Sequence, residues 1–393
     1  MTGHAALTFA REAQIVVIGW QVFAITRDPL SLGLIGLAEA IPLLGFALYA
    51  GHLADVMPRR PLAITGAAGM TLSSILLLVV TLQPDLLASY GIWSIYGLVF
   101  LGGIGRSFVR PAVSALSAEV IPRELYPSAV AWRSSVWHLA AIAGPAAGGL
   151  IYGFAGAKAA YITVVALMLV SLLGFVFVRH SVRPVPPEEQ PLVESIMSGV
   201  RFVWRDPVLL GAMSLDLFSV LFGGATALLP IFAVILGAGP EGLGVLRAAP
   251  AVGSIAVGIL MAHRAPSRRA GGVLLTCVAL FGVFMISFAL SRNFVLSFLL
   301  LLASGVVDGV SVVIRALLLQ MRAPGHLLGR VSSVNQMFIG ASNEIGAFES
   351  GVAARLMGTV PSVVFGGCMT LLVVAVTAWK VPQLRRLRDL HTS

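Results

Sequence analysis

Apolar residues run along this chain in long stretches, each closed by a short cluster of Gly, Pro, Asp or Arg. A helix crossing the hydrocarbon of a bilayer needs about 20 mainly apolar residues. Runs of that kind lie near 5–26, 31–50, 62–82, 92–114, 129–153, 157–178, 207–236, 243–262, 271–290, 295–320, 330–356 and 362–380, which predicts twelve transmembrane helices. The run at 207–236 exceeds one bilayer thickness, so it must tilt or continue beyond the membrane. The longest connection, 179–206, begins with Pro184, Pro186 and Pro187, then Glu188 and Glu189, an extended linker. It continues into a stretch with apolar residues at 192, 193, 196, 200 and 203, the spacing of an amphipathic helix lying on a membrane face. The pattern therefore predicts an all-α membrane protein of two six-helix, pseudo-symmetric halves, 1–178 and 207–380, joined by a linker at 179–206 and followed by a basic tail at 381–393.

Composition sharpens this reading. Hydrophobic residues make up 58% of the 393 positions and charged residues 11%, against roughly 45–50% and 25% in soluble domains. Mean hydropathy is +0.95. Such a chain has too little polar surface to face water, so its solvent is lipid. The net charge of +9 does not form one basic patch, which excludes nucleic acid as a partner. The positive residues instead punctuate the runs. Arg59, Arg60, Arg123, Arg179, Arg183, Arg264, Arg268, Arg269, Arg322, Arg385, Arg386 and Arg388 fall in one set of loops, while the opposite set holds little beyond Arg27, Lys158, Arg247 and Arg292. The positive-inside rule makes the first set cytoplasmic and puts both termini there. Arg11 and Glu12 interrupt the first run, so no cleavable signal peptide is expected, and the start reads as short by a few residues. Cys277 and Cys368 sit within apolar runs with no partner nearby in sequence, as small buried hydrophobes do. With no zinc spacing, P-loop or nucleophile elbow, no metal, cofactor, enzymatic activity or single-chain ATP-driven pump is expected.

Two motifs narrow the class. The first is Gly51-His-Leu-Ala-Asp55-Val-Met-Pro-Arg59-Arg60, between the second and third runs. Gly51 suits a close approach of helices, Asp55 suits a helix N-terminus or a basic residue, and Arg59 and Arg60 anchor the loop in the cytoplasm. The second is Gly144-Pro145-Ala-Ala-Gly148-Gly149 in the fifth run, where proline bends the helix and glycines make a flat packing face. A sparse internal repeat accompanies them. Arg106 and Arg315 stand 209 positions apart, each late in the fourth run of its half, and Gly51 and Gly258 stand 207 apart. That period is the layout of two parallel repeats.

On these residues the chain resembles the major facilitator superfamily. The Gly51–Arg60 stretch is similar to that superfamily's G-x-L-a-D-r-x-G-r-r loop, departing from it at Val56 and Pro58, and the resemblance implies a latch between the halves. The copy near Gly258 lacks the aspartate. Gly144–Gly149 resembles the fifth-helix motif of facilitator exporters, which implies efflux. Gly19-Trp-Gln-Val-Phe23, Asp28-Pro29-Leu30, Leu215-Asp216, Leu228-Leu-Pro230, Gly329-Arg330-Val331 and Ser342-Asn-Glu344 through Gly351 resemble the bacterial branch that includes the enterobactin exporter. That branch implies export of siderophores and drugs in exchange for protons, from the inner membrane.

Charges inside spans are expensive and mark cavities or pairs. This chain carries Arg11, Glu12, Glu39, Arg106, Arg110, Arg133, His138, Asp216, Asp308, Arg315, Glu344 and Glu349 within its runs. Arg106 and Arg110 share a helix face, as do Asp308 and Arg315, two turns apart. The fold implied by the resemblance lines its central cavity with the first and fourth helices of each half, which favours Glu12, Arg106, Asp216, Asp308 and Arg315, with Glu39 and Glu344 as further candidates. Each is also readable as a static ion pair. His138 is expected to be packed and hydrogen-bonded. Trp20, Phe23, Trp137 and Phe218 suit stacking of an aromatic cargo or contact with lipid. The expectation is a monomeric secondary transporter in a bacterial inner membrane, its partners a small molecule, protons and the bilayer, and its action proton-coupled export by alternating access. The alternatives are a metabolite importer or lysophospholipid transporter of the same fold, and a non-transporting receptor or scaffold.

Overall fold

The computed structural model describes residues 2–83, 85, 91–178, 192–263, 269–325 and 327–387. Among these residues there is no strand. The helices in chain order are α1 (Thr2–Thr26), α2 (Pro29–Val56), α3 (Arg59–Leu82), α4 (Trp93–Val120), α5 (Tyr126–Val176), α6 (Leu192–Arg205), α7 (Pro207–Gly223), α8 (Leu229–Ile235), α9 (Pro240–His263), α10 (Ala270–Leu290), α11 (Phe294–Arg322), α12 (Leu328–Met357), α13 (Thr359–Lys380) and α14 (Pro382–Arg385).

Helix starts follow from side-chain chemistry. Asp28 caps α2 by accepting from the Leu30 amide at 3.2 Å. Asp206 caps α7 by accepting from the Val208 and Leu209 amides at 2.9 and 3.1 Å. A proline at the first helical position follows both aspartates, where its missing N–H is not needed. Asn293 caps α11 through the Leu296 amide at 3.0 Å.

Among the described residues, eight stretches are long and apolar enough to cross a bilayer. One of them, Ser128–Val176, holds both the fifth and sixth runs. It is divided at Gly156, whose φ of 79° lies in a region open to glycine and strained for other residues. Three further long helices, α1, α4 and α12, carry the charged residues Arg11 and Glu12, Arg106 and Arg110, and Glu344 and Glu349. The overlong run at 207–236 is broken at Gly224, between α7 and a 3-10 turn at Ala225–Leu228 that leads into α8. Its excess length is thus taken up by a break.

The chain divides into two compact units: Met1–Glu189 with Ala238–Ala248, and Gln190–Gly237 with Ala249–Ser393. In the first, α1 packs along α5, while α3 and α2 pack on α4. Its core is rich in small residues, such as Ala10, Ala13, Ala63, Ala67 and Ala112, around Leu7, Met70 and Val109. Small side chains bring helix backbones close, the packing device left when lipid is as apolar as the protein. In the second unit, α10 packs on α11 and α13, α7 on α12 and α13, and α6 on α12. Leu209, Leu215, Leu274, Ile314, Leu318, Val331 and Leu384 form its core.

The amphipathic segment is helix α6. Val203 on its apolar side is buried, Trp204 is exposed, and Arg330 of α12 donates to the Ser198 hydroxyl at 3.0 Å. The side chains of Leu192, Val193 and Ile196 lie outside the described residues, as do the linker 179–191 with its prolines, glutamates, Arg179 and Arg183, the loop 264–268 and the tail beyond Leu387.

Candidate functional site

In the first unit the ionisable candidates converge from three helices. Arg106 of α4 donates to the Glu39 carboxylate of α2 at 3.0 Å. Arg11 of α1 donates to Glu12 at 3.1 Å, and its other terminal nitrogen stands 4.0 Å from the same Glu39 oxygen. Two arginines and two glutamates thus alternate in sign along one chain of contacts. That arrangement lets four charges remain in an apolar bundle, because none is left uncompensated. Arg11, Gln14, Glu39, Ser73 and Arg106 line a small cavity of about 40 Å³.

Polar side chains extend this network along α1. The Ser74 hydroxyl donates to Gln14 at 3.1 Å, the Gln21 amide donates to Thr81 at 3.0 Å, and the buried Tyr161 hydroxyl donates to Gln21 at 2.6 Å. These neutral partners carry no charge to mark them within an apolar run, so they are not among the candidates read from the sequence. A signal was present: Arg11, Gln14 and Gln21 are spaced at three and seven, one polar stripe along the helix.

In the second unit Arg315 of α11 makes a direct ion pair with Asp216 of α7 and lies 3.9 Å from Asp308, two turns earlier on its own helix. The two acids differ in access: the Asp216 side chain is 12% exposed and that of Asp308 is 48% exposed. One cation therefore serves two carboxylates, one closely held and one reachable. Glu344 sits half-buried in α12 and is engaged in a polar contact of its own. The structure thus brings together Glu12, Glu39 and Arg106 as one group and Asp216, Asp308 and Arg315 as another.

The loop arginines are tied to protein rather than simply facing the cytoplasm. Arg59 pairs with Glu119 of α4, and its Nε donates to the Ala54 carbonyl at 3.2 Å. Arg60 donates to the Val176 carbonyl, near the end of α5, at 2.7 Å. Against the expectation of a close approach, a Cβ built on Gly51 meets no described atom of its own unit within 4 Å. Asp55 falls in the last turn of α2, and its side chain lies outside the described residues.

The Gly-Pro motif has two working faces. A Cβ on Gly144 would stand 2.7 Å from Glu12 Cβ, and one on Gly148 would stand 2.8 Å from the Ala13 carbonyl oxygen. These glycines let α1 lie directly against α5. On the other face, a Cβ on Gly149 would run into the Pro240 carbonyl oxygen and stand 2.9 Å from Gly244 Cα at the start of α9. Glu12, the acid that pairs with Arg11, is therefore positioned by the motif itself.

Other residues sort less sharply. His138 packs edge-on to Trp137 at 5.0 Å, but its Nδ1 is buried without a hydrogen-bond partner among the described residues, which corrects the expectation that it is hydrogen-bonded. Trp137 is exposed, Trp20 meets Phe23 edge-on at 6.4 Å, and Phe218 stacks on Phe222 at 6.4 Å. Among the described residues no three His, Cys, Asp or Glu side chains gather as a metal site would.

The sequence pattern of the Major Facilitator Superfamily matches residues 1–347. Over 399 residues the chain is 27% identical to the multidrug efflux pump Tap of Mycolicibacterium fortuitum, covering 98% of this chain and 95% of that protein. Over 402 residues it is 26% identical to the enterobactin exporter EntS of Shigella boydii, covering 98% and 93%. A partial match, 25% identical, spans 55% of this chain and only 52% of the length of the uncharacterized MFS-type transporter YfiS of Bacillus subtilis. In fold, the chain is similar to a D-xylose–proton symporter, with a TM-score of 0.74, 14% identity, and coverage of 98% of this chain and 97% of that one.

Proposed function

Because the chain belongs to the major facilitator superfamily, a family of multi-pass membrane transporters and not of enzymes, we propose that it is a proton-coupled exporter of small amphipathic or aromatic organic molecules. It works by alternating access in a bacterial inner membrane, as a monomer with both termini on the cytoplasmic side. Arg315, set between a closely held and a reachable carboxylate, is the observation that carries this reading. A proton arriving at Asp308 removes its negative charge and leaves Arg315 to Asp216 alone. Loss of the proton restores the competition between the two acids. Such a triad converts proton occupancy into a change in where one guanidinium is held, which is what coupling requires.

The alternating group of Glu12, Arg11, Glu39 and Arg106 is balanced in charge, so it has less reason to exchange protons. We assign it to cargo contact at the small cavity, where Gln14 and Ser73 add neutral hydrogen-bonding groups. Glu344 is assigned a positioning role. Asp55, Arg59 and Arg60, with Gly51, form the loop proposed as the conformational latch. The export direction is supported by the Gly144–Gly149 motif packed on α1 and by relatives named as an efflux pump and an exporter.

Purified protein in proteoliposomes, given a panel of fluorescent organic dyes and an imposed pH gradient, tests the proposal. Dye movement against its own gradient that stops when a protonophore collapses the pH gradient is the expected result. Movement indifferent to the collapse overturns proton coupling, and accumulation only on the cytoplasmic side overturns export.

A further inference from the structure

A second and larger cavity, about 170 Å³, lies in the first unit away from the ion-pair groups. It opens where α1 begins, α4 ends, and both ends of α5 come together. Most of its wall is apolar, including Val113, Leu116, Val130 and Phe175, and two basic side chains, Arg133 and His4, face into it.

Arg133 is what makes the cavity more than a packing fault. It stands on a membrane-spanning helix and is only partly exposed, and among the described residues no carboxylate pairs with it. Its basic neighbour in the cavity wall, His4, offers no negative charge. The Nδ1 of His4 is itself buried without a hydrogen-bond partner among the described residues. Every arginine of the ion-pair groups described above has an acid within 4.0 Å. An uncompensated guanidinium in an apolar wall is costly, and such groups in membranes mark sites that take an opposite charge.

From these facts we infer that the cavity binds an amphipathic organic anion: an acidic head on Arg133 and His4, an apolar ring or chain against Val113, Leu116, Val130 and Phe175. Arginine presents a planar fork that matches a carboxylate or phosphate. The volume is close to that of an engineered apolar cavity that holds one benzene, so the enclosed part of the ligand is an aromatic ring or the first carbons of a chain. The same chemistry can come from an acidic bilayer lipid or from a small organic acid. The site is independent of proton coupling and of export direction, because none of its residues belongs to either ion-pair group.

A decanoate carrying a diazirine on its chain, photolysed with the purified protein in nanodiscs of neutral lipid and mapped by peptide mass spectrometry, tests this. Labelling is expected within 113–133 and 174–178, with labelling by the matching decylamine probe lower by about tenfold, the worth of one charged hydrogen bond. Arg133→Met should reduce decanoate labelling by a similar factor. Ala129→Phe, which fills the cavity without touching a charge, should do the same even if Arg133→Met folds poorly. If phosphatidylglycerol added to the nanodiscs displaces the probe, the natural occupant is an acidic lipid; if it does not, the occupant is a small organic acid. Labelling spread over the lipid-facing surface, equal labelling by the amine, or labelling unchanged in both variants overturns the inference.

Discussion

At the scale of single residues, Asp216 and Asp308 make the sharpest contrast, because they share Arg315 and differ in how it is held. Asp216→Asn leaves a guanidinium whose side chain is 12% exposed with its remaining acid at 3.9 Å. Removing the close partner of a buried charge destabilises by about 3–5 kcal/mol, so this variant should melt well below the wild type in detergent. Asp308→Asn removes the distant, half-exposed acid and should change the melting temperature little. It should nevertheless abolish transport driven by a pH gradient while sparing counterflow of cargo at equal pH. A thermal melt paired with both transport modes checks the pair of expectations. The opposite pattern, a stable Asp216 variant and an unstable Asp308 variant, would reverse the roles assigned to the two acids.

At the scale of helices, the glycines of the Gly-Pro motif predict where added bulk is felt. Gly148→Ala places a Cβ 2.8 Å from the Ala13 carbonyl and 3.0 Å from Ala13 Cα, both backbone atoms that cannot turn aside. Overpacking of this kind costs about 1–3 kcal/mol, and here it also moves α1, which carries Arg11 and Glu12. Gly45→Ala, on α2, meets nothing described within 4 Å and should be neutral or stabilising by up to about 1 kcal/mol through helix propensity. Thermal melts of the two variants side by side check this, and equal destabilisation would remove the motif's role in seating α1. The existence of these helices was legible in the sequence because apolar run length is a local property. Their partners were not. Glu119 as the companion of Arg59, Tyr161 as the donor to Gln21, and the break at Gly224 depend on the register of one helix against another, which no single run encodes. Gly51 shows the converse: a motif glycine invites a packing explanation, and no described atom of its own unit lies within 4 Å of a Cβ built there.

At the scale of the whole molecule, orientation in the membrane is the property on which export, latch and coupling all depend, and it rests on arginine placement alone. The bias is large: the loops assigned to the cytoplasm hold Arg59, Arg60, Arg322, Arg385 and Arg386 among others, and the opposite set holds little beyond Arg27, Lys158, Arg247 and Arg292. Lys and Arg near span ends resist translocation, so this asymmetry should fix one topology. Two positions on opposite sides can be read directly. Met57 is exposed in the turn between α2 and α3, and Arg292 is exposed in the turn between α10 and α11. With Cys277 and Cys368 replaced by serine, Met57→Cys and Arg292→Cys are each introduced alone. A membrane-impermeant maleimide on intact spheroplasts should label the cysteine at 292 and leave that at 57 untouched until the membrane is opened. The Arg292 substitution removes a positive charge from the outer set, so it strengthens the predicted bias. Labelling at 57 in sealed spheroplasts would invert the molecule, turning the proposed exporter into an importer with the same fold and the same triad.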